Sequence, residues 1–283
     1  MEMKDQDPSE WFGGRPRIMF VHAHPDDETI TTGGTLAALA AAGREPLLVT
    51  LTRGEQGEVV SGPLEALAGT HGLAVVRQNE LKTALGMLGV ERHAFLGVDP
   101  ARAEGLSPVI YEDSGMSWGP DGRATAAPEA GPDALTSAPA VEALNDLLAA
   151  AYRAGAQGIV SYDDGGGYGH PDHVFAHRLA RAVAHALEVP FWEIVSTGSL
   201  PEAVPLPDSA LSAEPAPLPE PVEGSGSLEL HDVEPWLDRK VAALRAHGTQ
   251  LSVDGDDIVH VGGQREAIGR VEVFRKPAGD AAS

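Results

Sequence analysis

Two short sequences in this chain combine imidazole and carboxylate groups at a spacing that suits a divalent metal. They are His24-Pro25-Asp26-Asp27-Glu28 and His170-Pro171-Asp172-His173, separated by more than half of the 283 residues. His24 and Asp27 can reach one ion from a tight turn, and imidazole with carboxylate suits Zn²⁺ or another first-row divalent ion. His173 is the natural third ligand. Three protein ligands leave a fourth position for a water that loses a proton near neutral pH, the requirement of a hydrolytic centre. Asp26, beside the ligands but not needed as one, is a candidate general base. Tyr168 and His170 lie just before the third ligand, where a phenol or imidazole can hold an oxyanion or protonate a leaving amine. Asp172 is placed to orient His170 from behind. Glu28 supports the start of the following helix or the ligands themselves.

These residues act together only if the fold brings them to one place. Each cluster follows an apolar run, Ile18-Met19-Phe20-Val21 or Gly158-Ile159-Val160-Ser161-Tyr162. Each therefore falls where a buried strand ends and a helix begins. In an open α/β sheet that edge is where ligands bind. A single H-P-D after a strand is commonly no more than a helix cap. Two of them after two buried strands, with Gly165-Gly166-Gly167 allowing close approach before Tyr168, favour a site.

The pattern predicts strands at 17–23, 46–52, 93–96, 158–162 and 191–196, with helices at 29–42, 75–88, 140–154 and 171–187. Gly43 is placed to end the first helix and Pro171 to start the fourth. Strands alternating with helices imply βαβ units and a Rossmann-like, mostly parallel α/β sheet flanked by helices, with a smaller C-terminal lobe. Residues 97–138, rich in Gly, Pro, Asp and Ser, read as a long loop near the site. A late helix is expected at 234–247 and an edge strand at 271–275. The implied organisation is an N-terminal tail at 1–16, a core at 17–200, a flexible Pro/Ser/Glu-rich excursion at 201–230 and a lobe at 231–283.

The net charge of −22 repels phosphates and anionic lipid, so neither nucleic acid nor a membrane is an expected partner. The absence of cysteine excludes disulfides, thiolate metal sites and Cys nucleophiles. No stretch approaches a membrane span, and the acidic N-terminus is unlike a secretory signal, so a cytoplasmic enzyme is expected. Homo-oligomerisation is left open. His71, His93, His177, His185 and His247 are expected in solvent or core rather than on the metal. His22 should alternate away from the neighbouring strand positions. His231 and His260 carry no assignment.

Taken together, Ala23-His24-Pro25-Asp26-Asp27-Glu28 and Gly169-His170-Pro171-Asp172-His173 resemble the LmbE-like (PIG-L) zinc N-acetylglucosaminyl deacetylases. Gly54-Glu55-Gln56-Gly57-Glu58-Val59, Asp113-Ser114-Gly115-Met116 and Lys240-Val241-Ala242-Ala243-Leu244-Arg245-Ala246-His247 are similar to its mycothiol-pathway branch. That branch holds the N-acetylglucosaminyl-inositol deacetylase and the mycothiol S-conjugate amidase, and Gly169 is more like the former. The resemblance implies zinc, or iron(II), on His24, Asp27 and His173. It implies Asp26 as base, His170 as acid and Tyr168 as oxyanion stabiliser, with Arg77 and Asp113 contacting a small amino-sugar substrate. The alternatives are amidase action on a thiol conjugate and a metal-stabilised sugar-binding module without catalysis. A nucleotide-binding oxidoreductase is weaker, because no G-x-G-x-x-G follows the first strand.

Overall fold

The computed structural model describes residues 7–118, 124–127, 130–195 and 226–278. A short kinked turn α1 (Trp11–Gly14) precedes β1 (Ile18–His22), α2 (Asp27–Ala41), β2 (Leu47–Thr50), α3 (His71–Leu88) and β3 (Arg92–Phe95). A small antiparallel pair follows, β4 (Met116–Trp118) and β5 (Ala124–Ala126). Then come α4 (Ala140–Ala154), β6 (Gly158–Tyr162), α5 (Pro171–Ala186), β7 (Phe191–Val195), β8 (Ser227–Asp232) and α6 (Leu237–Leu244). The chain continues through β9 (Leu251–Asp254), β10 (Asp257–His260), β11 (Arg265–Ala267) and β12 (Val271–Lys276).

The main sheet has seven strands in the order β3-β2-β1-β6-β7-β12-β8. The first five are parallel, while β12 runs antiparallel to both β7 and β8. Strands β9 to β11 form a separate antiparallel sheet. The α/β architecture and smaller lobe expected from the sequence are both present. From β1 the order runs outward through β2 and β3 on one side and through β6 and β7 on the other. The switch point therefore lies between β1 and β6, the two strands that carry the chemical motifs.

β1 is buried along its whole length, so it is apolar on both faces rather than alternating. Met19 and Val21 pack with Leu147 and Ala150 of α4 and Leu179 and Val183 of α5. Ile18 and Phe20 pack on the other face with Leu36 and Leu39 of α2, Leu81, Leu85 and Leu88 of α3, and Ala243 of α6. Gly43 takes the left-handed conformation after α2 (φ 69°), and Pro171 occupies the first turn of α5.

Three features depart from the sequence pattern. The strand expected at the edge, β12, is interior, because β8 pairs along its outer side from Ser227 to Asp232. The helix expected at 234–247 is a 3₁₀ turn, Glu234–Trp236, followed by α6 and ending at Leu244. Within the expected tail, Trp11 and Phe12 are buried. Phe12 meets Phe20, Trp192 and Phe274 edge to face at 5.1–5.9 Å. Of the expected excursion, residues 201–225 lie outside the described part. Among the described residues no helix is long and apolar enough to cross a membrane.

Phe12→Ala removes a fully buried ring from the junction of β1, β7 and β12. It should cost about 3–5 kcal/mol of stability, read from the urea midpoint at constant slope. A loss under about 1 kcal/mol would mean that this turn contributes little to the core.

Candidate metal centre

Four loops leave the carboxyl edge of the parallel strands and converge. The loop after β1 carries His24, Asp26 and Asp27, and the loop after β6 carries Tyr168 and His170. The loop after β2 brings Glu55, and the long segment after β3 brings Asp113 and Ser114. The expected long loop at 97–138 thus contains the β4–β5 pair yet supplies part of the site.

His24 Nδ1, Asp27 Oδ2 and His173 Nε2 meet as a triangle. The first two are 3.2 Å apart, His173 to Asp27 is 3.3 Å and His173 to His24 is 3.4 Å. Zinc bonds of ~2.0–2.1 Å in a tetrahedron place neighbouring donor atoms about 3.3–3.4 Å apart, so this triangle has the right size for one ion. The ring nitrogens of His24, His170 and His173 also cluster. His170, however, caps α5, its Nδ1 accepting the backbone N–H of Asp172 at 3.2 Å. That nitrogen is engaged, which leaves Nε2 as the one His170 could offer, and the triangle through Asp27 is the candidate set with donor spacings closest to those of one tetrahedral ion.

The surroundings fix each donor. The N–H of His24 donates to Asp27 Oδ2 at 2.9 Å, and the Tyr162 hydroxyl donates to the same oxygen at 2.7 Å. Tyr162 also accepts the N–H of Ala23 and stacks on the His173 ring at 4.0 Å. Tyr162 has no role among the residues expected at the site. Its signal was a phenol at the end of an otherwise apolar strand, where a buried hydroxyl requires a partner. Asp172 was expected behind His170, but its carboxylate faces His24 instead, with Oδ2 3.2 Å from His24 Nε2. The same oxygen accepts the N–H of Ser114. A proton on Nε2 shared with Asp172 leaves Nδ1 as a lone pair aimed at the triangle. Asp172→Ala should therefore weaken metal binding about 10- to 100-fold, measured by competition with a chromophoric chelator. An unchanged affinity would count against this role.

Of the glycines before Tyr168, Gly166 is required by space. A Cβ on Gly166, which has φ 65°, would stand 2.8 Å from the Val174 side chain and 3.0 Å from His173 Cβ. Tyr168 lies edge-on to His170 and His173 at the open side of the site, with ring centres 6.0 and 5.2 Å away. Burial presses His170 down to about 3, helped by His24 and His173, so its ring is neutral at rest. For that ring to take up a proton it can then donate, negative charge must develop beside it.

Asp26 keeps part of its surface open and stands outside the donor triangle. Burial, then repulsion from Asp27, pushes its carboxyl up to about 7. Glu28 is wholly buried behind it and accepts the backbone N–H of Asp26 at 3.0 Å. Asp113 reaches the cluster, its Oδ1 3.5 Å from His24 Nε2. Glu55 accepts the N–H of Asp113 at 3.0 Å, tying two loops together. Arg77 is buried and donates to the carbonyls of Gly54 at 2.6 Å and Glu58 at 2.8 Å. It thus holds the loop after β2 in place; the resemblance implies a contact to substrate for the same residue.

The remaining histidines stay off the triangle. His22 bonds Thr32, His177 bonds the carbonyl of Tyr162, and His231 stacks on Trp11. His247 is buried against Glu28.

Fold and site together define a doubly wound α/β protein with a candidate three-donor nitrogen and oxygen metal cradle at its switch point. Residues 19–184 match the profile of PIG-L, described as GlcNAc-PI de-N-acetylase. The chain belongs to the PIG-L family. It is 39% identical over 250 residues to "1D-myo-inositol 2-acetamido-2-deoxy-alpha-D-glucopyranoside deacetylase 1" of Saccharopolyspora erythraea, covering 84% of this chain and 78% of that protein. A deacetylase of the same name from a Nocardioides species is 36% identical over 264 residues, covering 84% of each. The solved structure of an A40926 pseudoaglycone deacetylase superposes with a TM-score of 0.59 at 21% identity, covering 95% of this chain and all of that one.

Proposed function

We propose that this protein is a metal-dependent N-deacetylase acting on an N-acetylglucosaminyl-inositol substrate. The observation that carries it is the donor triangle of His24, Asp27 and His173 with the carboxylate of Asp26 left outside it. The mixed imidazole and carboxylate set suits zinc, with iron(II) next. A divalent ion bound there supplies Lewis acidity and a water acidified towards neutral pH.

Asp26 takes the proton of the attacking water. Tyr168, half exposed at the mouth, swings its hydroxyl towards the acetamide oxygen and donates to it as negative charge builds. His170 stands beside the departing nitrogen: the negative charge of the tetrahedral intermediate raises the proton affinity of its neutral ring, so the ring takes up a proton, in net terms the one Asp26 drew from the water, and passes it to the amine as the C–N bond breaks. Acetate and the free amine leave. Asp113 and the loop held by Arg77 and Glu55 line the sugar side of the site.

The relatives named above support the substrate class. The test is acetate release from 1D-myo-inositol 2-acetamido-2-deoxy-α-D-glucopyranoside by zinc- or iron-loaded protein. An S-conjugated, N-acylated thiol of the same pseudodisaccharide serves as competitor substrate. Turnover of the conjugate alone would replace deacetylation with amidase action, and turnover of neither would overturn the proposal.

A further inference from the structure

We propose that His247, acting through Glu28, is a positioning residue for Asp26, so that the C-terminal lobe sets the geometry of the base. This rests on the assignment of Asp26 above. Asp26 has φ 116° and ψ −35°, a conformation that side-chain-bearing residues rarely adopt. Such strain persists only where neighbouring contacts over-determine it. Here the contacts are few and identifiable. The Asp26 carbonyl accepts the N–H groups of Thr29 and Ile30, both at 2.9 Å. Its N–H goes to Glu28 Oε2.

Glu28 can hold that N–H only if its own side chain is fixed. Its other oxygen, Oε1, accepts the Thr29 hydroxyl and His247 Nε2, the latter at 3.2 Å. His247 is wholly buried and follows α6, 219 residues along the chain from Glu28. Its far nitrogen, Nδ1, lies 3.3 Å from Gln250 Nε2, so the ring is held from both ends. Burial opposes charge on His247, but the bond to Glu28 and that carboxylate's charge outweigh it and raise its pKa.

A purely structural account is the weaker one. A buried polar pair adds little net stability over well-packed apolar residues, whereas it fixes one arrangement of the groups that depend on it. The group that depends on this pair is the backbone of Asp26. None of the three donor atoms bonds to His247, so the link acts on the base and not on metal binding.

The experiment compares His247→Leu and His247→Gln with wild type in metal-loaded, full-chain enzyme. Acetate release, metal content and melting temperature are read together. H247L should lose about 10- to 100-fold in kcat, with KM and metal content within about twofold of wild type. H247Q keeps an N–H for Glu28 and should recover most of the loss. A kcat for H247L within about twofold of wild type overturns the assignment, as does a loss explained wholly by missing metal or raised KM. Should H247L fail to fold, Glu28→Gln reads the same link from the other side, and a wild-type kcat there overturns it equally. A wild-type enzyme that releases no acetate instead overturns the deacetylase proposal, and this assignment with it.

Discussion

Asp26→Asn should lower kcat for acetate release by about 10²- to 10⁴-fold, the span that general acid–base catalysis contributes. The amide has the shape of the carboxylate but cannot take a proton from water. Asp26 lies outside the donor triangle, so metal content should match wild type. KM should change little, because the interaction lost is one made in the transition state and not in the bound substrate. Metal analysis and single-turnover acetate release on the same preparation check this. A variant that keeps its metal and more than about a tenth of wild-type kcat would remove Asp26 from the base role.

Asp27→Ala should abolish activity by a different route, through loss of the metal. Asp27 Oδ2 is the vertex shared by His24 and His173, at 3.2 and 3.3 Å. Without it only two imidazoles remain, and activity should fall to background at zinc concentrations that saturate wild type. Chelation of wild type should give the same loss, reversed by adding zinc. Stability offers a second readout. A metal at 100 times its dissociation constant stabilises the folded protein by about 2.7 kcal/mol, so zinc should raise the melting temperature of wild type and not of Asp27→Ala. The variant also strands the Tyr162 hydroxyl and the His24 N–H, both of which donate to the lost oxygen. Its metal-free form should melt below metal-free wild type. Full activity in a metal-free preparation would end the metal-dependent proposal.

Much of the core of this fold was legible because it is local. The apolar runs at 18–21 and 158–162 must be buried strands. The helix expected at 140–154 is found at those bounds, and in the structure it ends at a left-handed Gly155. Both motifs reached one edge because parallel strands leave their carboxyl ends together. What could not be read depends on partners far along the chain. β12 has the composition of an edge strand, and it becomes interior only because Ser227–Asp232 pairs across it. Asp172 stands two residues from His170, yet its carboxylate meets His24, 148 positions away. Trp11 and Phe12 sit in a polar, acidic stretch, and their burial is decided by Trp192, His231 and Phe274. Arg77 lies on a helix whose pattern reveals its face but not the carbonyls it would find.

The interior place of β12 bears on how the protein is made. On the ribosome, the strands β1 to β7 emerge first with the flank of β7 unpaired, and Phe12 has no Phe274 to pack against. The parallel half must wait, with an exposed ladder and an open aromatic cleft, until residues beyond 270 leave the exit tunnel. Glu28 likewise waits for His247. A nascent chain arrested near residue 226 should therefore bind chaperones and stay protease-sensitive, and competence for chemistry should arise late in synthesis, when the two ends of the described chain meet.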